Sequence, residues 1–396
     1  MHASLVRKRT AKVYSFVLAV LPILSTYYSG IPGFTVGDLA LAVFTVVAFF
    51  TPSAFSKNKY SPAVGWLFFG VGLIVFFDLF ALLAKPEHLT DVAIRTVRYC
   101  FYIFCFAFTS LKLCDVKQLR KDVVGVSMFA AVYLYIQYAA YHLLGRVLHG
   151  FLEFLPLYVP QYAERDYEAL YSSMFRPTSC FLEPAHFARY AALGVILLLW
   201  HKDVKMRDVM YALFITVSVL MSTSSIGYVL LAVIWVVFLI GKLKGVKSNF
   251  VRVAGAICII LSPWLILMLL RLPFVQETIA RSLAGTITDD NTALGARFSG
   301  YFYYFGLPLY QKIFGMGFGI IPGSEWLSSA AYWLYGSGAV VFFVFCIFLV
   351  TAFVRLKGEK RMVILLLAVL FFSDDAFYSY MCVIFYSLAM LREERI

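Results

Sequence analysis

Charged residues are scarce in this chain. Asp, Glu, Lys and Arg make up 14% of its 396 residues, whereas 62% are hydrophobic and the mean hydropathy is +0.83. Soluble domains carry about a quarter charged residues and about half apolar ones. Because the apolar runs also recur evenly along the chain, the composition excludes a string of soluble domains. It predicts an all-α, polytopic transmembrane helical bundle.

Metal-type cysteine spacing is missing as well. Most of the seven cysteines fall inside apolar runs and no CxxC pattern occurs, so we expect no disulfide, no metal site and no cofactor.

A single basic patch is also missing, although the net charge is +12. The basic residues form small clusters between apolar runs, which argues against nucleic acid as a partner.

A cleavage site is missing after the first apolar run. That run starts at Val13 and is followed by Ser-Thr-Tyr-Tyr-Ser-Gly, without a small-x-small pattern, which predicts a retained helix.

A span needs about 20 mostly apolar residues. On that basis we predict about 12 spans, at 13–29, 34–55, 60–84, 92–111, 122–144, 185–201, 207–223, 225–241, 250–270, 328–354, 361–373 and 376–391. The eleventh is short, which indicates a hairpin with the twelfth that is broken at Asp374-Asp375.

Lysine and arginine positions orient the predicted helices. With the N-terminus inside, most of the 34 Lys and Arg residues fall in inner loops, as the positive-inside rule requires. Both termini are therefore predicted to be cytoplasmic. Residues 1–396 form a single transmembrane domain in this prediction, with long extracytoplasmic segments at about 145–184 and 271–327. Long segments of this kind usually carry binding and catalytic groups.

The basic residues of the outer half are nearly all arginines. A planar guanidinium suits bidentate binding of phosphate or carboxylate, so the set favours an anionic ligand on the outer side. Snorkelling and loop salt bridges are the alternative for any single member. The outer arginines are Arg95, Arg98, Arg146, Arg165, Arg176, Arg189, Arg271, Arg281 and Arg297.

The most informative motif reads Arg176-Pro-Thr-Ser179-Cys-Phe181-Leu-Glu183-Pro184-Ala-His186-Phe-Ala-Arg189-Tyr190. Proline at the first helical position leaves Glu183 at the cap, and the helical period places Glu183, His186 and Tyr190 on one face. A carboxylate or an imidazole there could accept a proton from an attacking hydroxyl, and arginines could neutralise a phosphate leaving group. The alternative is a helix cap with interfacial anchoring, in which His186 is an ordinary headgroup histidine.

Two further motifs follow along the chain. Met221-Ser-Thr-Ser-Ser225-Ile-Gly227 is a small polar turn between adjacent helices. The third motif runs from Gly295-Ala-Arg297-Phe-Ser-Gly300-Tyr301 through Gly315-Met-Gly317-Phe-Gly319 to Tyr332 and Gly336-Ser-Gly338. Within it Arg297, Tyr301 and Tyr304 recur at a helical spacing and share one face, after a predicted cap at Asp289-Asp290-Asn291-Thr292.

Other signals have plain structural interpretations. The three alternate glycines at 315–319 are similar to a phosphate loop but lack a βαβ context, so a turn is favoured. The acidic pairs Asp289-Asp290 and Asp374-Asp375 have no evident third metal ligand. Asp78, in an apolar run, is predicted either to pair with an arginine such as Arg98 or to line a hydrophilic cavity.

The three motifs, taken in this order, resemble those of the Wzy-type O-antigen and capsular polysaccharide repeat-unit polymerases, in the O-antigen ligase/polymerase superfamily. The resemblance implies a GT-C-like bundle in the bacterial cytoplasmic membrane that performs metal-independent glycosyl transfer facing the exterior. The implied donor is an oligosaccharide linked to undecaprenyl diphosphate, which is attacked by a hydroxyl of another lipid-linked repeat unit. Membrane lipids, a chain-length regulator and a flippase of the same pathway are the implied partners.

The resemblance also implies that Arg176, Arg189 and Arg297 bind the diphosphate or position the donor, and that Glu183 acts as base or orients the acceptor. The full set of candidates is wider. Glu183 and His186 are the candidate catalytic groups. The candidates for binding diphosphate or sugar are Arg176, Arg189, Arg297, Arg98, Arg281, Tyr190, Tyr301 and Tyr332.

The chain departs from the ligase branch of that superfamily at one informative place. The ligases typically carry a histidine before the helix that here begins near Ser328, whereas this chain has Ala330-Ala331-Tyr332 and no histidine after His201. That favours a polymerase over a ligase that transfers glycan to lipid A-core or protein. It also removes the usual candidate base. The paired R-x10-G motif of some polymerases does not appear with Arg176 or Arg297.

A lipid-linked oligosaccharide flippase is the third alternative, although the two similar halves often found in transporters are missing.

Overall fold

Proline and hydroxyl side chains set where several helices begin. Thr35 caps one helix and forms a capping box with Asp38, Ser328 caps another, and Pro184 is the first residue of a third. The computed structural model describes residues 2–51, 58–84, 86–160, 175–201, 203–245, 271, 276, 295–322 and 327–393. The helices are α1 (His2–Leu24), α2 (Val36–Phe50), α3 (Val64–Ala84), α4 (Leu89–Phe104), α5 (Val116–Leu144), α6 (Pro184–Leu199), α7 (Met206–Met221), α8 (Ser225–Gly245), α9 (Gly295–Gly306), α10 (Leu309–Phe314), α11 (Ser329–Arg355), α12 (Gly358–Ser373) and α13 (Met381–Met390).

The described part of the chain is 74% helical, which confirms the predicted fold class at that level. Four helical segments in the described ranges are long and apolar enough to cross a membrane, which indicates a membrane protein. They are Val64–Leu83, Leu89–Leu113, Val116–Leu144 and Ser329–Arg355. The second of these continues α4 through a π-helical turn, Cys105–Ser110.

The predicted break between the last two apolar runs is present. Helix α12 ends at Ser373, and α13 starts only at Met381. In between, the carboxylate of Asp374 accepts the backbone N–H of Ala376 (3.1 Å), as a turn-forming aspartate does. The span predicted at 250–270 and the cap predicted at 289–292 lie outside the described residues.

The chain divides into two units. The first contains Met1–Val123 and Gly285–Ile396, and the second contains Val124–Ala284. In the first unit α11 packs against α3, α9, α10 and α12, and α4 packs against α3 and α13. In the second unit α6 packs against both α7 and α8, and nearly all of its residues are buried.

A short strand pair in the first unit was not predicted. Strands β1 (Asn58–Tyr60) and β2 (Leu391–Glu393) are antiparallel, with Lys59 opposite Arg392. The backbone N–H of Ser61 also donates to the carbonyl of Met390 (2.8 Å). Three-residue strands carry no periodic signal, so this connection is invisible in the sequence.

Charged side chains make polar contacts at both ends of the helices in the first unit. Near the start of α2, Asp38 pairs with Arg98 of α4. Near the end of α3, Asp78 accepts the backbone N–H of Phe318. At the opposite end, Lys112 donates to the carbonyls of Ala48 (3.0 Å) and Thr51 (3.2 Å). Lys112 thus serves as a cap for helix carbonyls at that end.

Candidate functional site

The Arg176–Tyr190 segment forms the start of α6 as predicted. Glu183 is the N-cap residue, with an extended backbone (φ −136°, ψ 150°), and Pro184 follows as the first helical residue. The carbonyl of Glu183 accepts the N–H of Phe187 (3.1 Å), but its carboxylate makes no capping hydrogen bond. Glu183 is therefore the N-cap residue by its backbone conformation, and not through a hydrogen bond of its side chain.

Burial divides the residues of that segment into two groups. Glu183, His186 and Arg176 are half-buried, whereas Arg189 is 1% exposed and Tyr190 is fully buried. Arginine is rarely buried to this extent without partners. The segment therefore presents two titratable groups at the surface of the second unit and holds a cation inside it.

The loop before α6 is held in a strained conformation. Ser179 has φ +57°, a region that residues other than glycine rarely adopt. Its hydroxyl donates to the carbonyl of Ala130 (2.6 Å), its N–H donates to Oε1 of Gln137 (2.7 Å), and the amide of Gln137 donates back to its carbonyl (3.2 Å). Strain that neighbouring groups maintain in this way is common at functional sites.

The second motif contains the other strained residue and packs against the same helix. Thr223 has φ +53°, and it is the only non-glycine residue besides Ser179 with a positive φ in the described part of the chain. Ser222, Thr223 and Ser224 are all buried. A Cβ on Gly227 would lie 2.9 Å from the Cβ of Ala188, so the polar turn approaches α6 beside Arg189.

Cys180, within the first motif, is not a nucleophile at neutral pH. Burial raises the pKa of its thiol to about 11. The reactive form of cysteine is the thiolate, which is scarce several pH units below that value. Glu183 and His186 therefore stay the candidate groups for proton transfer in this segment.

The glycine-rich part of the third motif is occupied by intramolecular hydrogen bonds. The N–H of Met316 donates to the carbonyl of Tyr335 (3.0 Å), that of Gly317 to Gly336 (2.8 Å) and that of Phe318 to Asp78 (2.8 Å). A phosphate loop needs such N–H groups pointing at the ligand, so this segment is not one. The favoured interpretation as a turn is confirmed.

Close packing explains the glycines on both sides of that contact. Helix α11 is kinked at Gly338, where φ is +78°. A Cβ on Gly315 would lie 2.2 Å from the carbonyl oxygen of Gly336, and one on Gly338 would lie 2.3 Å from that of Ile313. Backbones can approach this closely only where side chains are missing.

Tyr332 lies at the centre of a stack of side chains that we call the Tyr332 platform (Arg95, Tyr332 and Tyr378). The guanidinium of Arg95 lies 5.9 Å from the ring centroid of Tyr332, and the ring of Tyr378 stacks on Tyr332 at 4.5 Å. The Tyr332 hydroxyl donates to the carbonyl of Phe318. The platform is thereby tied to the glycine-rich segment, and through Phe318 to Asp78.

Arg98 is committed to a different cluster, the Asp38 cluster (Asp38, Arg98 and Tyr102). Its Nη2 lies 2.7 Å from Oδ2 of Asp38, and its Nε donates to the Tyr102 hydroxyl (2.8 Å). Tyr102 in turn donates to Oδ1 of Asp38 (2.7 Å). The suggested pairing of Asp78 with Arg98 is wrong: Asp78 accepts from Thr96 (2.5 Å) and Phe318. The carboxylate of Asp78 is bonded by Thr96 and by the glycine-rich segment, and not by Arg98.

The remaining predicted site residues are only partly described. Arg297 and Tyr301 lie on α9, as their spacing predicts, but the side chain of Arg297 and all of Arg281 are outside the described residues. Tyr301 is half-buried. In the part of the chain that the structure describes, no three His, Cys, Asp or Glu side chains are grouped to hold a metal ion.

The sequence did not predict Arg95 or Tyr378 as site residues. Arg95 carried the same signal as Arg98, an outer arginine near the start of a helix, and only the contact with Tyr332 distinguishes it. Tyr378 lies between two helices, and burial together with the charge of Asp375 raises the pKa of its hydroxyl well above the usual value. No local pattern marks its stacking partner, 46 residues away in the sequence.

No protein-family model matches this chain, and no curated protein shows significant sequence similarity to it. The resemblance to repeat-unit polymerases therefore rests on the motifs and their placement.

Proposed function

We propose that this protein is a polysaccharide polymerase of the bacterial cytoplasmic membrane. It joins undecaprenyl-diphosphate-linked oligosaccharide repeat units at the outer leaflet. A hydroxyl of one lipid-linked unit attacks the reducing-end carbon of the glycan on another, and a glycosidic bond forms as the bond to the diphosphate oxygen breaks. The electron pair of that bond leaves with undecaprenyl diphosphate, and the hydroxyl proton passes to a base on the protein.

The start of α6 carries this proposal. Glu183 and His186 are half-buried there, one turn apart, while Arg189 is buried further along the same helix. The two strained residues of the described chain, Ser179 and Thr223, belong to the motifs that adjoin this helix. A base at the surface beside fixed positive charge is the combination that transfer from a diphosphate needs.

An apolar groove in the first unit supports a lipid-linked substrate. The cavity measures about 490 Å³ and is lined mainly by aromatic side chains of α3 and α10, a size and lining typical of ligand sites. It reaches Gly315 and Met316, next to the segment that contacts Asp78 and Tyr332. In this proposal the arginine- and tyrosine-bearing end of the first unit faces outward, both termini are cytoplasmic, and about 12 spans form a GT-C-like bundle.

Loss of the protein tests the proposed reaction in cells. A deletion strain should accumulate single repeat units on the lipid carrier and make no long chains. A chain-length regulator and a flippase should remain active in that strain, so the defect is confined to joining. Persistence of long glycan would exclude the polymerase.

Purified components test the reaction class. The protein in nanodiscs, supplied with a defined undecaprenyl-diphosphate-linked repeat unit, should form a ladder of longer lipid-linked chains. The ladder should be unchanged by a chelator, because we propose no metal. Transfer only to added lipid A-core or to protein would identify a ligase instead.

Substitutions at the start of α6 and on α9 test the assigned residues. Glu183→Gln and Arg297→Ala should abolish extension while expression stays normal, since loss of a general base costs about 10²- to 10⁴-fold in rate. Glu153→Gln is the matched control, because that carboxylate is 71% exposed in the same outer segment. His186→Ala separates the two candidate bases: a loss confined to one of the two variants assigns the base to that residue.

A further inference from the structure

Arg95 is an exposed cation held in a defined position. It lies on α4, and its guanidinium carbon lies 5.9 Å from the ring centroid of Tyr332, within the range of a cation–π contact. Tyr332 is itself 1% exposed and is fixed on its other sides by Tyr378 and the carbonyl of Phe318. The platform thus restricts an arginine that would otherwise be mobile.

The guanidinium of Arg95 donates to the Tyr332 hydroxyl, and this single acceptor leaves most of its five N–H groups for a ligand. Among the described residues, no carboxylate lies within 4.0 Å of its guanidinium, although Asp91 is one turn earlier on α4. Arg98, one turn later, has the opposite environment, because it contacts both Asp38 and Tyr102. The N–H groups that do not donate to Tyr332 match the oxygens of a phosphate group.

We propose that Arg95, supported by Tyr332, binds the diphosphate of a lipid-linked ligand. Arg98, which the sequence placed among the binding residues, is instead a structural residue of the Asp38 cluster. This inference rests on the proposed function for the identity of the ligand, but not for the existence of the anion site.

The geometry around Gly317 places this site beside the apolar groove. A Cβ on Gly317 would lie 3.4 Å from the Cβ of Ala81, which lines the groove, and 3.0 Å from Val92. Val92 is three residues before Arg95 on α4, about one helical turn away. A ligand with a phosphate head and a hydrocarbon chain would therefore meet Arg95 with its head and the groove with its chain.

Direct binding measurements on the full-length protein in nanodiscs test the site. The probes are inorganic pyrophosphate and farnesyl diphosphate, each in nanodiscs of neutral lipid and again with phosphatidylglycerol. Arg95→Gln should weaken binding of farnesyl diphosphate by about 10- to 100-fold, the range expected when hydrogen bonds to a charged group are lost. Arg95→Lys should restore part of it, because it keeps the charge but not the fork.

The matched control is Arg207→Gln. Arg207 is also an exposed arginine over a tyrosine, 5.8 Å from the ring of Tyr211, but it lies at the start of α7 in the second unit. Its substitution should leave binding unchanged. Tyr332→Leu should weaken binding as Arg95→Gln does, and elution as a single species should show that the variant is folded.

Two results would overturn the anion site at Arg95. One is wild-type affinity for both diphosphates in Arg95→Gln, and the other is an absence of diphosphate binding by the wild-type protein. Loss of the Arg95 effect when phosphatidylglycerol is present would assign the site to a phospholipid headgroup and overturn the diphosphate assignment. Binding that depends on Arg95 in a protein that joins no repeat units would retain the anion site and exclude the polymerase, so the two proposals fail separately.

Discussion

The Asp38 cluster and the Tyr332 platform are neighbours on α4, yet they use arginine in opposite ways. In the Asp38 cluster the carboxylate is 1% exposed, and both of its oxygens are hydrogen-bonded by Arg98, Tyr102 and the N–H of Thr35. In the Tyr332 platform the arginine contacts the ring and the hydroxyl of a tyrosine, with no carboxylate partner, and remains exposed. A closed network of buried charge contributes to stability and specificity, whereas a positioned but accessible cation is suited to bind a ligand.

The largest effect on stability is expected from Asp38→Ala. It removes the capping box of α2 and leaves Arg98 without its carboxylate, so the free energy of unfolding should fall by about 3 kcal/mol. Arg98 retains some contact with solvent, which keeps the loss at the lower end of the range for buried pairs. Denaturant unfolding in detergent measures it, with Asp91→Ala, an exposed aspartate on α4, as the control. An equal loss in both variants would show that the pairing contributes nothing.

A smaller effect is expected from Asp78→Ala. The N–H of Phe318 would lose its acceptor in a buried position, which costs about 2 kcal/mol. Because Phe318 also accepts from Tyr332, the change should loosen the platform and weaken farnesyl diphosphate binding as well. Thr96→Val removes only the other partner of Asp78 and should leave binding intact. Unchanged binding in Asp78→Ala would separate the platform from the glycine-rich segment.

Tyr102→Phe should reduce the free energy of unfolding by about 1.5 kcal/mol. The hydroxyl both donates to Asp38 and accepts from Arg98, and a hydrogen bond to a charged group is worth about that much. Diphosphate binding should not change, because Tyr102 lies outside the platform. Reduced binding at unchanged stability would reverse the roles that we assign to the two clusters.

The smallest stability effect is expected from Arg95→Gln, at less than about 0.5 kcal/mol, as for most exposed positions. Arg98→Gln should cost clearly more, since it leaves a buried carboxylate. Parallel melting curves of the two variants test the comparison directly. If the two curves shift by the same amount, the distinction between a structural and a ligand-binding arginine on α4 is lost.

Local sequence patterns predicted a mostly helical chain and the start of α6. Pro184 lacks a backbone N–H and has a fixed φ, so it fits only the first turn of a helix, and Glu183 is the cap for that reason. The acidic pair at Asp374 likewise predicted the break between α12 and α13. Such signals act within a few residues, and tertiary contacts do not change them.

Contacts across long sequence separations were not predictable. Pairing with Arg98 was one of two alternatives predicted for Asp78, the other being a hydrophilic cavity, whereas the partner of Arg98 is Asp38. Both aspartates are equally plausible partners in the sequence. The strain at Ser179 was also missed, since it depends on Gln137 and Ala130 from α5. Nothing in the residues around Ser179 indicates a left-handed backbone.

The sequence by itself determined that this is a mostly helical membrane protein, because apolar runs of spanning length leave the backbone no other way to satisfy its hydrogen bonds in lipid. It also determined which segments carry the scarce polar groups. Only the tertiary structure decided which of those groups are paired with other groups of the protein. Arg98 meets a carboxylate 60 residues away in the sequence, and Arg95 meets an aromatic ring on α11. Both arginines carry the same charge, and the packing of α4 against its neighbours makes one structural and leaves the other exposed.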